Sequence, residues 1–222
     1  MMGSTDKVYI VEDDQSVREA LAELVQSEGF TARTYDSAEQ LLDKLEPTAT
    51  DYSACMLLDV RLPGVSGITL LEQLALREPT LPVILISAHT DVPLAVQAMK
   101  HGAVDILEKP FRGEQVLGRV RDALALHRVR QSRQLESQSL QQRYGQLSQR
   151  ERQVLELVVR GLLNKQIALE LSLSTKTVEC HRAKVMEKME ADSLADLVRM
   201  AVNLENEGLI DTQHPSSTSQ TN

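Results

Sequence analysis

The sequence predicts an α/β domain with a doubly wound, five-stranded parallel sheet, followed by a long linker helix and a small all-α domain of four helices. Short apolar runs alternate with helical patterns only in the first half of the 222-residue chain. Six of the seven prolines lie at or before Pro110, and no Phe, Tyr or Trp follows Tyr144. Residues 1–127 carry 11 Lys and Arg against 20 Asp and Glu, whereas residues 128–209 carry 13 against 11. These differences indicate two domains.

Five short strands are predicted within residues 6–127, the range of the first domain. Continuous apolar runs of this length are typical of parallel strands that are buried on both faces. The second run is the weakest of the five. The runs are VYIV at 8–11, TARTY at 31–35, CMLL at 55–58, VILI at 83–86 and IL at 106–107.

Helical patterns follow these strands and complete five strand–helix units, which implies right-handed crossovers and a doubly wound sheet. The first two helices are predicted to open with the capping boxes Ser16-x-x-Glu19 and Ser37-x-x-Gln40. The last pattern continues to Gly145, so residues 128–146 are predicted to form a helical linker. The five helices are expected at residues 16–28, 37–45, 66–76, 92–101 and 113–127.

The second domain, residues 147–209, is predicted to contain four helices. Ser148 and Glu151 form a further capping box at its start, and Gly161 ends the first helix. A tight turn at residues 172–174 precedes the third helix, which is typical of a helix-turn-helix motif. The polar tail, residues 210–222, is predicted to be disordered.

Several classes of protein are excluded by composition. No apolar run approaches the ~20 residues of a membrane-spanning helix, and the N-terminus MMGSTDK lacks a signal-peptide core. Cys55 and Cys180 cannot by themselves form a disulfide framework or a zinc site. We therefore expect a cytoplasmic protein without a structural metal.

Polar residues follow the predicted strands at the sheet edge where open α/β sheets have their active crevice. Clustered carboxylates are tolerable when they share a hard cation such as Mg²⁺, and a carboxylate can itself be a nucleophile. A lysine and a hydroxyl group beside it would pair with phosphoryl oxygens. The residues placed there are Glu12, Asp13, Asp14, Asp59, Ser87 and Lys109.

The stretches VYIVEDDQSVREAL, LLDVRLPGVSG and ILISAHTDVPLAVQAMKHGAVDILEKPF resemble, in this order and spacing, the receiver domain of two-component response regulators. The resemblance covers residues 6–127. It implies that Asp59 accepts a phosphoryl group, that Ser87 and Lys109 bind this group, and that the Lys109–Pro110 peptide bond is cis. It also implies a Mg²⁺ site formed by Asp13, Asp59 and the backbone carbonyl of Arg61, with Glu12 and Asp14 in support through water.

Two positions leave the resemblance incomplete. Many relatives carry an aromatic residue three positions before the lysine, whereas this chain has Ile106, so a rotating aromatic ring cannot report phosphorylation here. Either an aliphatic shift replaces it, or activation depends more on the loop and helix after Ser87. Asp14 either supports the metal or only caps the helix that follows it.

The stretch LSQRERQVLELVVRGLLNKQIALELSLSTKTVECHRAKVMEKMEADSLADLVRMAV, residues 147–202, resembles the LuxR-type helix-turn-helix of FixJ- and NarL-like regulators. Helical spacing independently places Val178, Val185 and Met189 on the inward face of the third helix. The opposite face would enter the major groove of DNA. It holds Lys176, Cys180, Ala183 and Glu187, flanked by Glu179 and Lys184.

The resemblance places the base-reading positions at Glu179, Cys180 and Ala183. His181 and Arg182 have two interpretations: each either contacts a phosphate or packs near the apolar face. The candidates for phosphate contacts are Lys165, Lys176, Thr177, His181, Arg182 and Lys184.

We therefore expect a phosphorylation-dependent transcription regulator of the FixJ type rather than an enzyme. Its expected partners are a sensor histidine kinase, double-stranded promoter DNA, RNA polymerase and, on phosphorylation, a second copy of the chain. No binding to a membrane is expected. Val96 and Lys100 are the positions that the resemblance places on the dimer face.

Two rival functions remain at this stage. A phosphatase of the haloacid dehalogenase type would need a second carboxylate two residues after the nucleophile, where Arg61 stands. A constitutive DNA-binding regulator with a vestigial receiver stays open.

Overall fold

The computed structural model describes residues 6–45 and 52–210. The chain divides into two compact units between Ser132 and Arg133. The predicted polar tail lies outside the described residues from Asp211 onwards.

The first unit contains a five-stranded parallel sheet with the strand order β2-β1-β3-β4-β5, which confirms the predicted fold class. The central strand β3 is buried along its whole length. The edge strand β5 begins before its apolar pair because its middle residues are only half-buried and need not be apolar. The strands are β1 (Lys7–Val11), β2 (Thr31–Tyr35), β3 (Ala54–Asp59), β4 (Val83–Ser87) and β5 (Ala103–Glu108).

Helices cover both faces of the sheet, each close to its predicted position. Met56 and Leu58 of β3 pack with α2, α3 and α4, whereas Leu57 packs with α1 and α5 on the other face. Because successive strand residues point to opposite faces, one apolar run contributes to both layers of the core. The helices are α1 (Gln15–Ser27), α2 (Ala38–Lys44), α3 (Gly67–Arg77), α4 (Val92–Lys100) and α5 (Gly113–Gly145).

The predicted capping box at Ser16 is wrong. Asp14 caps α1 instead, and its Oδ1 accepts hydrogen bonds from the backbone N–H groups of Ser16 and Val17 at 2.8 and 3.1 Å. The helix begins one residue earlier than predicted, so Asp14 stands nearer its free N–H groups. Ser37 caps α2 through the N–H group of Gln40, but the Gln40 side chain accepts the N–H of Asp36 instead of that of Ser37, so only half of the predicted capping box forms.

His127 of α5 is completely buried and holds the helix to the edge of the sheet where the strands begin. Its Nδ1 accepts the backbone N–H of Ala54, the first residue of β3, at 3.1 Å. Burial, followed by the charge of Arg130, lowers the pKa of His127 to about 4. The imidazole is therefore neutral at pH 7 and can accept this bond.

The second unit consists of the C-terminal part of α5 and four further helices around one apolar core. Ser148 and Glu151 form the predicted capping box. The turn before α8 includes Ser172 in the left-handed region, with φ 54°. The helices are α6 (Gln149–Val159), α7 (Asn164–Glu170), α8 (Thr175–Met189) and α9 (Leu194–Asn206).

The core of this unit extends to Ile210, which is 7% exposed. The predicted disordered tail therefore started one residue too early, because an apolar side chain that follows Gly208 and Leu209 returns to the core. Within the described ranges, no helix is both long enough and apolar enough to cross a membrane.

Candidate functional site

The polar residues predicted from the strand ends come together at the carboxyl edge of the sheet. Glu12 and Asp13 directly follow β1, Asp59 ends β3, and Ser87 ends β4. Lys109 directly follows β5. All five strands run in parallel, so their carboxyl ends deliver these side chains to a single edge.

The centre of this cluster is the Lys109 ammonium group, which lies between two buried carboxylates. Its Nζ donates to Glu12 Oε2 at 2.7 Å and to Asp59 Oδ2 at 2.5 Å. Glu12 is 1% exposed and Asp59 is 5% exposed. Two buried carboxylates repel each other unless a cation compensates them, and Lys109 supplies that charge.

Burial and hydrogen bonding shift the pKa values of Glu12 and Lys109. Burial raises the pKa of Glu12 to about 7, although the hydrogen bond from Lys109 opposes this shift. Burial also lowers the pKa of Lys109, but its hydrogen bonds to Asp59 and then Glu12 outweigh burial, so the net shift is upwards. Lys109 therefore stays charged beside Asp59.

The Asp59 carboxylate is also fixed through its second oxygen. The backbone N–H of Arg61 donates to Asp59 Oδ1 at 2.6 Å. Gly67, the first residue of α3, lies very close to the backbone of Asp59. A Cβ atom on residue 67 would be only 2.1 Å from the Asp59 carbonyl oxygen. Only glycine leaves this backbone path open, which gives Gly67 a role that the sequence analysis missed. The signal was present in LLDVRLPGVSG, where Gly67 is the last residue.

The cluster has the composition of a site for a hard divalent cation. Oxygen atoms of Glu12, Asp13 and Asp59 lie within 4.8 Å of one another. Carboxylate oxygens are the ligands that Mg²⁺ prefers, and Asp13 is exposed enough to leave room for water. Asp14 is not part of this group, since its carboxylate caps α1.

A second contribution that the sequence analysis missed comes from Arg18 on α1. Its Nη1 donates to the backbone carbonyls of Glu12 and Asp13, at 2.6 and 3.1 Å. The guanidinium group therefore ties down the segment that carries two of the three carboxylates. A contact from a side chain to a carbonyl five or six residues earlier leaves no distinctive sequence pattern.

Ser87 is buried near this cluster and holds the loop that leads to α4. Its Oγ donates to the carbonyl of His89 at 2.6 Å and accepts the His89 N–H at 3.2 Å. Ile106 is half-buried and packs against the core on the α2–α4 side of the sheet. The hydroxyl group thus closes a small turn at the start of the β4–α4 loop.

The helix α4 carries an exposed apolar stripe. Val92, Val96 and Met99 are 76%, 48% and 54% exposed, and their spacing of four and three residues puts them on one helical face. Such a stripe is typical of a surface that binds another protein.

In the second unit, α8 presents the face that helical spacing predicted. Val178, Val185 and Met189 are buried. The exposed residues of the opposite face are Lys176, Glu179, Cys180, Ala183, Lys184 and Glu187.

The remaining candidates for DNA contacts divide into exposed and internally bonded side chains. Lys165 is exposed. Arg182 donates to Asn164 Oδ1 at 2.6 Å, and the Thr177 hydroxyl group lies 2.7 Å from Ser174 Oγ at the cap of α8. The Nδ1 atom of His181 is buried and has no hydrogen-bond partner among the described residues.

Comparison with known protein families finds two matches in the same chain. Residues 8–121 match the response regulator receiver domain, and residues 145–201 match the bacterial regulatory proteins of the luxR family. The order of the two matches is the order of the two structural units.

Similar proteins align with this chain along most of their length. The response regulator protein TodT of Pseudomonas putida is 44% identical over 197 residues, which cover 89% of this chain and 86% of TodT. The transcriptional regulatory protein FixJ of Azorhizobium caulinodans is 47% identical over 196 residues, which cover 88% of this chain and 91% of FixJ.

Two solved structures are similar over both units. The response regulator StyR matches with a TM-score of 0.77 and 40% identity, covering 90% of this chain and 99% of StyR. Full-length FixJ from B. japonicum matches with a TM-score of 0.55 and 38% identity, covering 94% of this chain and 100% of FixJ.

Proposed function

The chain belongs to the response regulators that join a receiver domain to a LuxR-type DNA-binding domain, and we propose that phosphorylation of Asp59 switches it. A sensor histidine kinase donates the phosphoryl group. The phosphorylated protein then dimerises and binds specific double-stranded promoter DNA, where it acts on RNA polymerase. The observation that carries this proposal is the position of the Asp59 carboxylate, 2.5 Å from the Lys109 ammonium and beside Glu12 and Asp13.

In the proposed transfer, a carboxylate oxygen of Asp59 attacks the phosphorus of a phosphohistidine. The phosphorus–nitrogen bond breaks, and its electron pair remains on the imidazole of the kinase. The acyl phosphate carries about 1.5 to 2 negative charges where the Asp59 carboxylate carried one, so the acidic cluster becomes more negative by roughly 0.5 to 1 charge. Lys109 offsets part of this charge by exchanging a carboxylate oxygen for a phosphoryl oxygen.

The carboxylates of Asp13 and Asp59 would hold Mg²⁺, with Glu12 and the backbone carbonyl of Arg61 as the other proposed contacts. When bound, the ion neutralises charge on the phosphoryl oxygens. Asp14 is a weaker member of the proposed set because its Oδ1 already accepts two backbone hydrogen bonds at the start of α1.

The proposed switch begins at Ser87. To bind a phosphoryl oxygen, its hydroxyl group must give up the hydrogen bond to the His89 carbonyl. The β4–α4 loop loses this closure and moves towards the new phosphoryl group, which displaces the N-terminal end of α4. The exposed stripe of Val92, Val96 and Met99 belongs to this helix, and Lys100 follows it, so a second copy can bind there.

The DNA-binding step is assigned to α8. Glu179, Cys180 and Ala183 lie on its exposed face and are proposed to meet base edges. Lys165, Lys176 and Lys184 are exposed and are proposed to bind phosphates. The hydrogen bond of Arg182 to Asn164 favours a packing role for that side chain.

The experiment that tests this proposal treats the protein with acetyl phosphate and Mg²⁺ and follows intact mass and oligomeric state together. We expect one added phosphoryl group and conversion to a dimer. Asp59→Asn should show neither change, whereas Asp43→Asn, which removes an exposed carboxylate from α2, should behave as wild type. A wild-type protein that gains no phosphoryl group but binds DNA as well as the Asp59→Asn variant would instead establish a constitutive regulator.

A further inference from the structure

The linker helix α5 and the helix α8 are joined by a reciprocal set of polar contacts at their C-terminal ends. Arg143 of α5 donates from Nη1 to the Met189 carbonyl at 2.8 Å. In the opposite direction, Lys188 of α8 donates from Nζ to the Gln146 carbonyl at 3.2 Å. We call these two contacts the clasp.

Within the clasp, Arg143 binds the C-terminal end of α8, where a positive charge stabilises a helix most. The last carbonyl groups of a helix are without intrahelical partners and carry the negative end of the helix dipole. Arg143 satisfies one of them directly, and its Nη1 also lies 3.5 Å from Glu190 Oε2. Glu190 is the C-cap of α8 and adopts a left-handed conformation, with φ 56° and ψ 38°, so α8 ends at this point.

The Arg143 side chain is held rather than free in solvent, being 20% exposed. Leu140 and Leu147 on either side of it are buried in the core of the second unit. Lys188 is fixed on its own account by Glu151 Oε2 at 2.7 Å. Both side chains of the clasp, Arg143 and Lys188, are therefore held in place within the second unit.

From this geometry we propose that Arg143 is a positioning residue for α8. It sets the direction of α8 relative to the C-terminal part of α5, and thereby the angle at which Glu179, Cys180 and Ala183 meet DNA. A rotation of that part of α5 acts on α8 through Arg143. This inference rests on the proposed role of the exposed α8 face in binding duplex DNA.

A DNA-free measurement tests the positioning directly. Cys180 on α8 is exposed and Cys55 is fully buried, so a spin label can be placed on Cys180 and on a second cysteine, Ser139→Cys, in α5. The distance distribution between the labels should be narrow in this background. Arg143→Gln should broaden or shift it, and Arg143→Lys should restore most of the narrow distribution because it keeps one charged donor.

The matched control is Arg150→Gln. Arg150 is exposed and donates to Gln153 within its own helix at 3.0 Å, so this variant removes the same charge from the same unit without touching the clasp. Circular dichroism at the assay temperature verifies that each variant is folded. A distribution that is unchanged in Arg143→Gln, or equally changed in Arg150→Gln, would overturn the positioning role.

Binding to DNA provides the second readout. Duplex sites are selected from a random library by wild-type protein treated with acetyl phosphate, and affinity is measured for a selected site and for its scrambled sequence. We expect Arg143→Gln to weaken binding to the selected site about tenfold, the scale of one charged hydrogen bond. Binding to the scrambled site should weaken no more than with Arg150→Gln.

The outcomes separate this inference from the function on which it rests. Equal losses on both DNAs in Arg143→Gln would mean that Arg143 contributes only charge, which overturns the inference and leaves the proposed function standing. If the wild-type protein enriches no sequence, the proposed function fails, whereas the distance measurement still decides whether Arg143 positions α8.

Discussion

Replacing Glu151 by Gln should weaken the DNA-binding unit by an amount that depends on pH. Glu151 is 4% exposed, and its carboxylate accepts hydrogen bonds from Lys188 Nζ at 2.7 Å and from the Ser148 N–H at 2.8 Å. The hydrogen bond from Lys188 is the main cause that lowers the Glu151 pKa from 4.5 to about 2. The glutamine variant keeps an acceptor for Ser148 but loses the charge that binds Lys188.

The magnitude follows from this shift. A difference of about 2.5 pKa units between folded and unfolded states corresponds to roughly 3 kcal/mol of free energy of unfolding. The Lys188 side chain is 35% exposed, and solvent screening reduces the expected loss to about 1–2 kcal/mol. The folded-state pKa is lowered, so the stabilisation is fully present above pH 4.5 and disappears as the pH falls towards 2.

Differential scanning calorimetry of the full-length variant at several pH values is the measurement. Glu151→Gln should lower the free energy of unfolding of the second unit at pH 7 and differ little from wild type near pH 2. Glu170→Gln, which changes an exposed carboxylate at the end of α7, serves as the control. The reasoning would be refuted if Glu151→Gln lowered the free energy of unfolding no more than the control does. It would also be refuted if the loss stayed constant down to pH 2.

Four further changes test other parts of the structure. Gly67→Ala should destabilise the receiver unit by about 1–3 kcal/mol and slow phosphorylation of Asp59 by acetyl phosphate, because the new Cβ meets the Asp59 backbone; Gly118→Ala, where that space is open, should do neither. The wild-type receiver should lose up to about 3 kcal/mol of stability as the pH falls from 6.5 to 4, because only the unfolded chain then binds a proton at His127. His127→Gln should remove most of this loss. A urea titration of the variant with the same pH dependence as wild type would contradict this. Val96→Lys should leave phosphorylation intact but prevent the dimerisation that we expect light scattering to detect in wild type. Leu76→Lys, at an even more exposed apolar position on α3, should have no effect on assembly. Lys176→Gln should reduce the slope of log affinity against log salt by about one, and an unchanged slope would remove Lys176 from the set of phosphate contacts.

Local patterns were enough to predict the sheet and the strand-end cluster. Short apolar runs such as the one at residues 55–58, alternating with helical patterns, predict buried parallel strands, and the parallel arrangement then brings Asp59 and Lys109 to one edge. The distance along the chain between these two residues does not matter to this argument. The exposed face of α8 was predicted for a similar reason, because helical spacing alone separates Val178 from Cys180.

Contacts that depend on side-chain direction were not predictable in the same way. The sequence left two roles open for Asp14, and only its hydrogen bonds to the start of α1 favour capping. Arg18 and Arg143 bind backbone carbonyls, which every residue possesses, so no residue type marks their partners. Gly67 stands at the end of a recognisable sequence motif, but the close approach to the Asp59 backbone that requires a glycine there is visible only in the structure.

The replacement of the usual aromatic residue by Ile106 places a specific demand on Ser87. A half-buried isoleucine that packs against the core has no polar group with which to follow a phosphoryl group. Ser87, in contrast, already bonds to both backbone groups of His89, so a change in its hydroxyl partner must alter that loop. In the proposed switch, the path from Asp59 to the exposed stripe of α4 therefore depends on the Ser87 hydroxyl group and the turn that it closes. It follows that Ser87→Ala should still accept the phosphoryl group but should separate phosphorylation from dimerisation more completely than in a receiver that has the aromatic residue.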